Sequence, residues 1–392
     1  MRIAMVGPFG LQPNQTMRSR ALGAARPLAA RGHQVSLFMP PWQTPEAADS
    51  RWEEDGVALR YTPLRGGVAG ITRALLRETL AWRPDVVHCF KPKAYSGLTA
   101  WWLWQFHRRR LRLVVDSDDW EGWGGWNALA PYTRAQKHFF AWQERWGMRH
   151  CHALTVASRT LQSLAWSLGI PPGQVVYAPN GPGIVAAPPP GQAQRAAERR
   201  ALGLEEARPV LLLYSRLFEF DISRLTMVLA QVQTAVPDLA ILLVGAGLYA
   251  EDAAALRRQL AQAELLDRVV DVGWVAPEKL PALLACADVG LYLMDDNLLN
   301  RTKCPVKLID MVAVGVPVVA EAVGQVTEYV VNGRTGLLRS SGDATGLAQD
   351  VVGLLLAPAR RAHLGAAARA HAAAHFTWDA IATRLERAYA PG

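Results

Sequence analysis

Short, unbroken apolar runs that stop at glycine or at polar residues recur along this chain. They restrict its fold more than any other feature. RIAMVG, QVSLFMP, PDVVHCF and LRLVVDSDD follow one another between residues 2 and 119, with a helical pattern over about 17–31 between the first two. A strand with one wet face alternates apolar and polar residues. A run apolar at every position is buried on both faces, as strands of a parallel sheet are. Such runs separated by helices spell successive βαβ units. After residue 200 the same grammar restarts with RPVLLLYSRL, LAILLVGAG, RVVDVGW, DVGLYLM and VPVVAEA. The chain reads as an α/β protein with two tandem doubly wound sheets.

Between the two sets lies YAPNGPGIVAAPPPGQAQ, with five prolines from Pro179 to Pro190 and three glycines, which leaves little room for regular structure. The expected organisation is one domain over 1–185, a second over 186–373, and a C-terminal helix over 374–392 that packs across the two. A length of 392 residues agrees with two cores. Ligands of doubly wound sheets bind beyond the carboxyl ends of the strands, which predicts a cleft between the domains. The four cysteines are scattered and form no CxxC, so neither a disulfide framework nor a zinc site is indicated, and a reducing cytoplasm fits. Met1-Arg2 leads straight into a strand, with no leader pattern, and no apolar run nears the ~20 residues of a spanning helix. The net charge of +8 favours acidic partners such as phosphates or an anionic membrane surface. The basic residues are dispersed and form no recognition motif, which argues against nucleic acid.

One segment, CPVKLIDMVAVGVPVVA from Cys304 to Ala320, is apolar except for Lys307 and Asp310. Pro305 suits the first turn of a helix and Gly315 its end. Spaced three apart, the two charges share a helix face. They form either a surface ion pair or a ligand-facing pair in which the carboxylate accepts from a ribose diol and the ammonium lies near a diphosphate.

KLIDMVAVGVPVVAEAVGQVTEYVVNGRTGLL resembles the donor-nucleotide motif of family-4, or group 1, glycosyltransferases. ARGHQV, PDVVH, LTVASR, APNG, YSRL, ILLVGAG, DVGWV and the terminal Phe-Thr-Trp helix extend the resemblance over nearly the whole chain, in the family's order. The resemblance implies the GT-B fold and transfer of a sugar from a nucleotide sugar with retention, without a bound metal or other cofactor. Asp310 falls on the second glutamate of the family's E-x7-E and would hold the ribose, while Thr302 replaces the first. Arg216 falls on the diphosphate-contacting arginine. The family's lysine five residues later is Asp221 here, so Lys307 or Lys303 is expected to supply that charge. Gly324 and Gln325 match the glycine pair whose amides approach phosphate, and the backbone at Val275 matches the base-reading region.

In the first half, Gly10 belongs to the glycine-rich loop Gly7-Pro8-Phe9-Gly10, where small residues let amides approach a ligand. Asp118 stands where the family often has a histidine near the reaction centre, flanked by Asp116 and Asp119 on the acceptor side. His88 is a further candidate. The resemblance makes Arg216 and Lys307 the groups that stabilise the leaving diphosphate. Asp118 would position the acceptor or stabilise charge at the anomeric carbon. The acceptor itself, a glycan, lipid-linked or small molecule, is left open.

Three other readings compete. Asp116-Ser117-Asp118 matches the D-x-D with which metal-dependent GT-A transferases hold a divalent ion, and the same aspartates also suit helix caps. A GT-B protein that binds nucleotide without transferring is a second. Gly245-Ala246-Gly247-Leu248-Tyr249-Ala250 satisfies a loose G-x-G-x-x-A dinucleotide fingerprint, though in the wrong βαβ unit for a dehydrogenase. Finally, GLTAWWLWQFHRRRLR and KHFFAWQERW set tryptophans beside arginines. These are either helices packed on the sheet or a surface seated peripherally on the inner face of a membrane.

Overall fold

The computed structural model describes residues 1–13, 15–184, 191–245, 247 and 249–390. The chain divides into two compact units. The first comprises Met1–Gly181, Thr302–Cys304 and Thr377–Gly392, and the second Pro182–Arg301 and Pro305–Phe376. The sequence boundary at 185/186 and Ala246 and Leu248 of the G-x-G-x-x-A loop lie outside the described residues.

The first unit is built on eight strands: β1 (Arg2–Val6), β2 (Gln34–Met39), β3 (Arg51–Glu54), β4 (Val57–Tyr61), β5 (Val86–Phe90), β6 (Arg112–Ser117), β7 (Ala153–Val156) and β8 (Val175–Tyr177). Their order is β3-β4-β2-β1-β5-β6-β7-β8, all parallel except the β3/β4 pair. Every residue of β5 and β7 is buried, as the unbroken runs require. The order reverses between β1 and β5, so the loops after these two strands flank the ligand crevice expected of such a sheet.

The Trp378–Tyr389 helix belongs to this unit. Ile381, Leu385 and Tyr389 recur at four-residue spacing, and they join one cluster with Leu22, Ala25, Leu28, Ile3 and Met5. A fully buried leucine such as Leu28 contributes about 1.5–3 kcal/mol. Gly23 opens the Gly23–Ala30 helix and lets it meet the Trp378–Tyr389 helix, since a Cβ there would stand 2.6 Å from the Trp378 ring.

The second unit has six parallel strands: β9 (Val210–Tyr214), β10 (Ala240–Val244), β11 (Val269–Asp271), β12 (Val289–Tyr292), β13 (Val318–Glu321) and β14 (Gly336–Arg339). They are ordered β11-β10-β9-β12-β13-β14, with the reversal between β9 and β12. The Val306–Val314 helix starts after Pro305 and stops at Gly315, whose φ of 88° is a left-handed conformation that glycine adopts without strain.

Candidate functional site

In the second unit the polar residues gather at the carboxyl end of β9. Lys307 and Asp310 do share a face of the Val306–Val314 helix, and that face is turned inward. The Lys307 ammonium sits 4.0 Å from the centre of the Tyr214 ring. Room for it depends on Gly245, just after β10, where a Cβ would lie 2.9 Å from Lys307 Nζ. Burial and the neighbouring Arg216 lower the Lys307 pKa to about 8, with Glu219 and Asp310 opposing. Arg216 follows β9, is half-exposed, and donates from Nη2 to Glu219 Oε1 at 2.8 Å. Arg216, Lys307 and Asp310 therefore belong to one constellation.

Asp310 is 2% exposed. Its Oδ1 accepts the backbone N–H groups of Gly183 at 2.7 Å and Ile184 at 3.3 Å, and the carboxyl also bonds the Tyr214 hydroxyl. Burial pushes this carboxyl up to about 7, while the two N–H groups, Lys307 and Tyr214 hold it back. Asp221 caps the Ile222–Ala235 helix, accepting from the Ser223 N–H at 2.9 Å. The charge reversal noted at that position is thus a helix start. Gly324 has φ 51°, and a Cβ there would strike the Arg301 carbonyl. Gln325 is buried ahead of the short Val326–Tyr329 helix. Val275 is half-buried beyond β11, beside a widely exposed Trp274.

Thr302 and Lys303 group with the first unit. The Thr302 carbonyl accepts the Ser158 hydroxyl at 2.7 Å, and buried Lys303 places its ammonium 5.2 Å from the Trp126 ring. Gly10 packs on Tyr61, whose hydroxyl accepts the Leu11 N–H at 2.9 Å.

The aspartates at the end of β6 face different partners. Asp116 is clasped by Arg20 through two bonds of 2.7 Å and accepts the Thr155 hydroxyl at 2.5 Å. The Arg20 guanidinium holds its carboxyl below the usual range against the cost of burial. His88 bonds the Tyr389 hydroxyl at 2.8 Å and Thr155 at 3.0 Å. Burial lowers its pKa to about 4, so the ring is neutral. Asp118 instead turns to Lys91, whose Nζ lies 3.0 Å from Asp118, 3.3 Å from Asp119 and 3.1 Å from Glu121. Burial pushes Asp118 up to about 6, with Lys91 opposing and Asp119 and Asp116 adding to the rise. Buried Glu144 accepts the Glu121 N–H at 3.0 Å, and its own carboxyl is pushed well up. This gives an acidic cluster around Lys91 at the carboxyl ends of β5 and β6, with Lys93 also donating to Glu121.

Sequence reasoning missed Lys91, Glu121, Glu144, Tyr214 and Glu219. Tyr214 and Glu219 flank Arg216 within five positions and were open to inspection. Glu144 sits on an amphipathic helix, where a glutamate reads as solvent-facing.

Residues 15–181 match the family model described as Glycosyl transferase 4-like domain, and residues 208–356 the one described as Glycosyl transferases group 1. A relative from Mycolicibacterium smegmatis is 31% identical over 91% of this chain and 90% of its own length; it is named GDP-mannose-dependent alpha-(1-6)-phosphatidylinositol monomannoside mannosyltransferase. Among solved structures, sucrose-phosphate synthase from Thermosynechococcus elongatus aligns with a TM-score of 0.73 at 22% identity, covering 99% of this chain and 98% of the other. Anabaena HepE, in complex with UDP and glucose, aligns at 0.72 and 18% identity over 98% of each chain. Two parallel-sheet Rossmann-like units with these neighbours overturn the GT-A alternative. Asp116, half of the supposed D-x-D, is committed to Arg20.

Proposed function

The chain belongs to the group 1 glycosyl transferases, with the GT-B fold, and from that membership we propose that it transfers a hexosyl group with retention from a nucleoside diphosphate sugar to an acceptor hydroxyl. The second unit holds the donor. The observation that carries this is the Lys307 ammonium, drawn under Tyr214 beside Gly245 and next to Arg216, its positive charge disfavoured until an anion arrives. As the bond from the anomeric carbon to the diphosphate oxygen breaks, Arg216 and Lys307 meet the charge that develops on the leaving group. Glu219 orients Arg216. The acceptor oxygen bonds the anomeric carbon on the same face, and its proton passes to the departing phosphate oxygen.

Asp310 takes the ribose diol in this reading, exchanging the Gly183 and Ile184 N–H groups for sugar hydroxyls. Asp118 orients the acceptor on the first unit, where Lys91 keeps it ionised near neutrality. The relative's name makes GDP-mannose the donor to test first and a lipid-borne polyol the first acceptor class.

Thermal-shift measurements against ADP, CMP, GDP, UDP and GDP-mannose test the donor assignment. A nucleoside diphosphate that binds the folded chain raises its melting temperature. GDP is expected to give the largest shift, and no shift with any of them contradicts a donor site in the second unit.

A further inference from the structure

In the first unit, the Ala94–His107 helix packs against the Arg134–Arg149 helix. Their outer surfaces carry aromatic rings in contact with one another rather than with a core. A chain of rings runs from Trp104 on the first helix through His150, Trp146 and Trp142 to Phe139 on the second, with centres 4.3–6.1 Å apart. Phe139 and Trp142 are each at least 40% exposed. Large apolar groups left clustered in water mark a surface that something else covers.

Charge decides what covers it. Residues 94–112 contain no acidic side chain, and residues 134–150 contain only Glu144, which is fully buried. The exposed charges are therefore of one sign: Arg108, Arg109 and Arg110 after the first helix, and Arg145 and Arg149 on the second. None of these five pairs with a carboxylate among the described residues. Aromatic rings settle at the depth of lipid headgroups, and arginines above them meet anionic phosphates at about 1 kcal/mol each. Among the described residues no helix is long and apolar enough to cross a membrane, so the contact is peripheral.

We propose that this two-helix face docks the protein on an anionic lipid bilayer. A second copy of the chain would repel it, because every exposed charge on the face is positive. The surface stands independently of the donor assignment, since none of its residues belongs to the Lys307 or Lys91 constellations.

Flotation of the full chain with vesicles of phosphatidylcholine alone, and of phosphatidylcholine mixed with phosphatidylglycerol, tests this. Binding is expected only to the mixed vesicles and should weaken at high salt. Arg145→Ala/Arg149→Ala should lower partitioning on the order of tenfold or more. Phe139→Ala/Trp142→Ala should lower it at all salt concentrations. Both variants should keep the wild-type melting temperature and its shift with nucleotide. Equal binding to both vesicle types, or wild-type partitioning by both variants, overturns the proposal. So does concentration-dependent self-association without vesicle binding, which would assign the face to a second copy.

Discussion

Arg20 and Asp116 form a two-pronged ion pair, Nε to Oδ1 and Nη2 to Oδ2, each 2.7 Å long, with both side chains almost wholly buried. Arg20 also reaches the Asn180 side chain and the Ala178 carbonyl, each at 2.9 Å, so the pair ties the helical segment after β1 to the ends of β6 and β8. Removing one partner of such a pair leaves a buried charge without compensation. Asp116→Ala is expected to cost about 3–5 kcal/mol of unfolding free energy by urea denaturation. The Asp116 pKa is lowered in the fold, so its contribution is present above the unfolded value of about 3.9 and is lost as pH falls through the lower folded value. A loss below about 1 kcal/mol, the size of an exposed pair, would show the network to be dispensable.

His88 predicts a separate acid limb. Its pKa is lowered to about 4 by burial, against about 6.5 unfolded, so the stability it contributes is complete above the unfolded value. That contribution is lost as pH falls from about 6.5 through 4. His88→Gln should flatten stability across this window, and Tyr389→Phe should cost about 1–3 kcal/mol by stranding the ring nitrogen. Unchanged pH dependence in His88→Gln would place the titration elsewhere.

Asp118 should act on turnover rather than on donor affinity. With its carboxyl pushed up to about 6, kcat is expected to fall below that pH as the acceptor-orienting carboxylate protonates. Asp118→Asn should lower kcat by about 10²-fold and remove the limb, leaving nucleotide affinity within about twofold. Equal losses in kcat and nucleotide affinity would contradict the division of labour between the two units.

Much of this was legible before any coordinates. Parallel strands announce themselves because burial on both faces leaves no polar alternation, and LLLY of β9 or VVHCF of β5 can be little else. The pairing of Lys307 with Asp310 on one helix face followed from helical geometry alone. Long-range closure was not legible. His88 closes the motif PDVVH and reads as a site residue, yet it lies inside β5 and Tyr389 arrives from 301 positions away to bond it. Asp221 reads as a lost phosphate ligand until Ser223 shows it to be a helix cap. Lys91 meets Glu121 only because the ends of β5 and β6 are neighbours, and Glu144 reaches Glu121 from the Arg134–Arg149 helix. Asp310 shows the limit most clearly. Sequence places it beside Lys307, but Gly183 and Ile184 occupy its carboxylate, and nothing in the local pattern announces a contact from so far up the chain.

The central claim is that Lys307 receives the diphosphate of a nucleotide donor. Calorimetric titration of GDP into the wild type and Lys307→Met, at pH values below and above 8 and in buffers of different ionisation heat, addresses it directly. With its pKa lowered to about 8, Lys307 is mostly the neutral amine above that pH and must take up a proton there when a phosphate binds. Affinity should therefore fall as pH rises through about 8, with proton uptake on binding. Lys307→Met should bind GDP roughly tenfold to a hundredfold more weakly and take up no proton. If Lys307→Met instead binds GDP as tightly as the wild type, with the same pH dependence, the diphosphate lies elsewhere and the donor site described above is wrong.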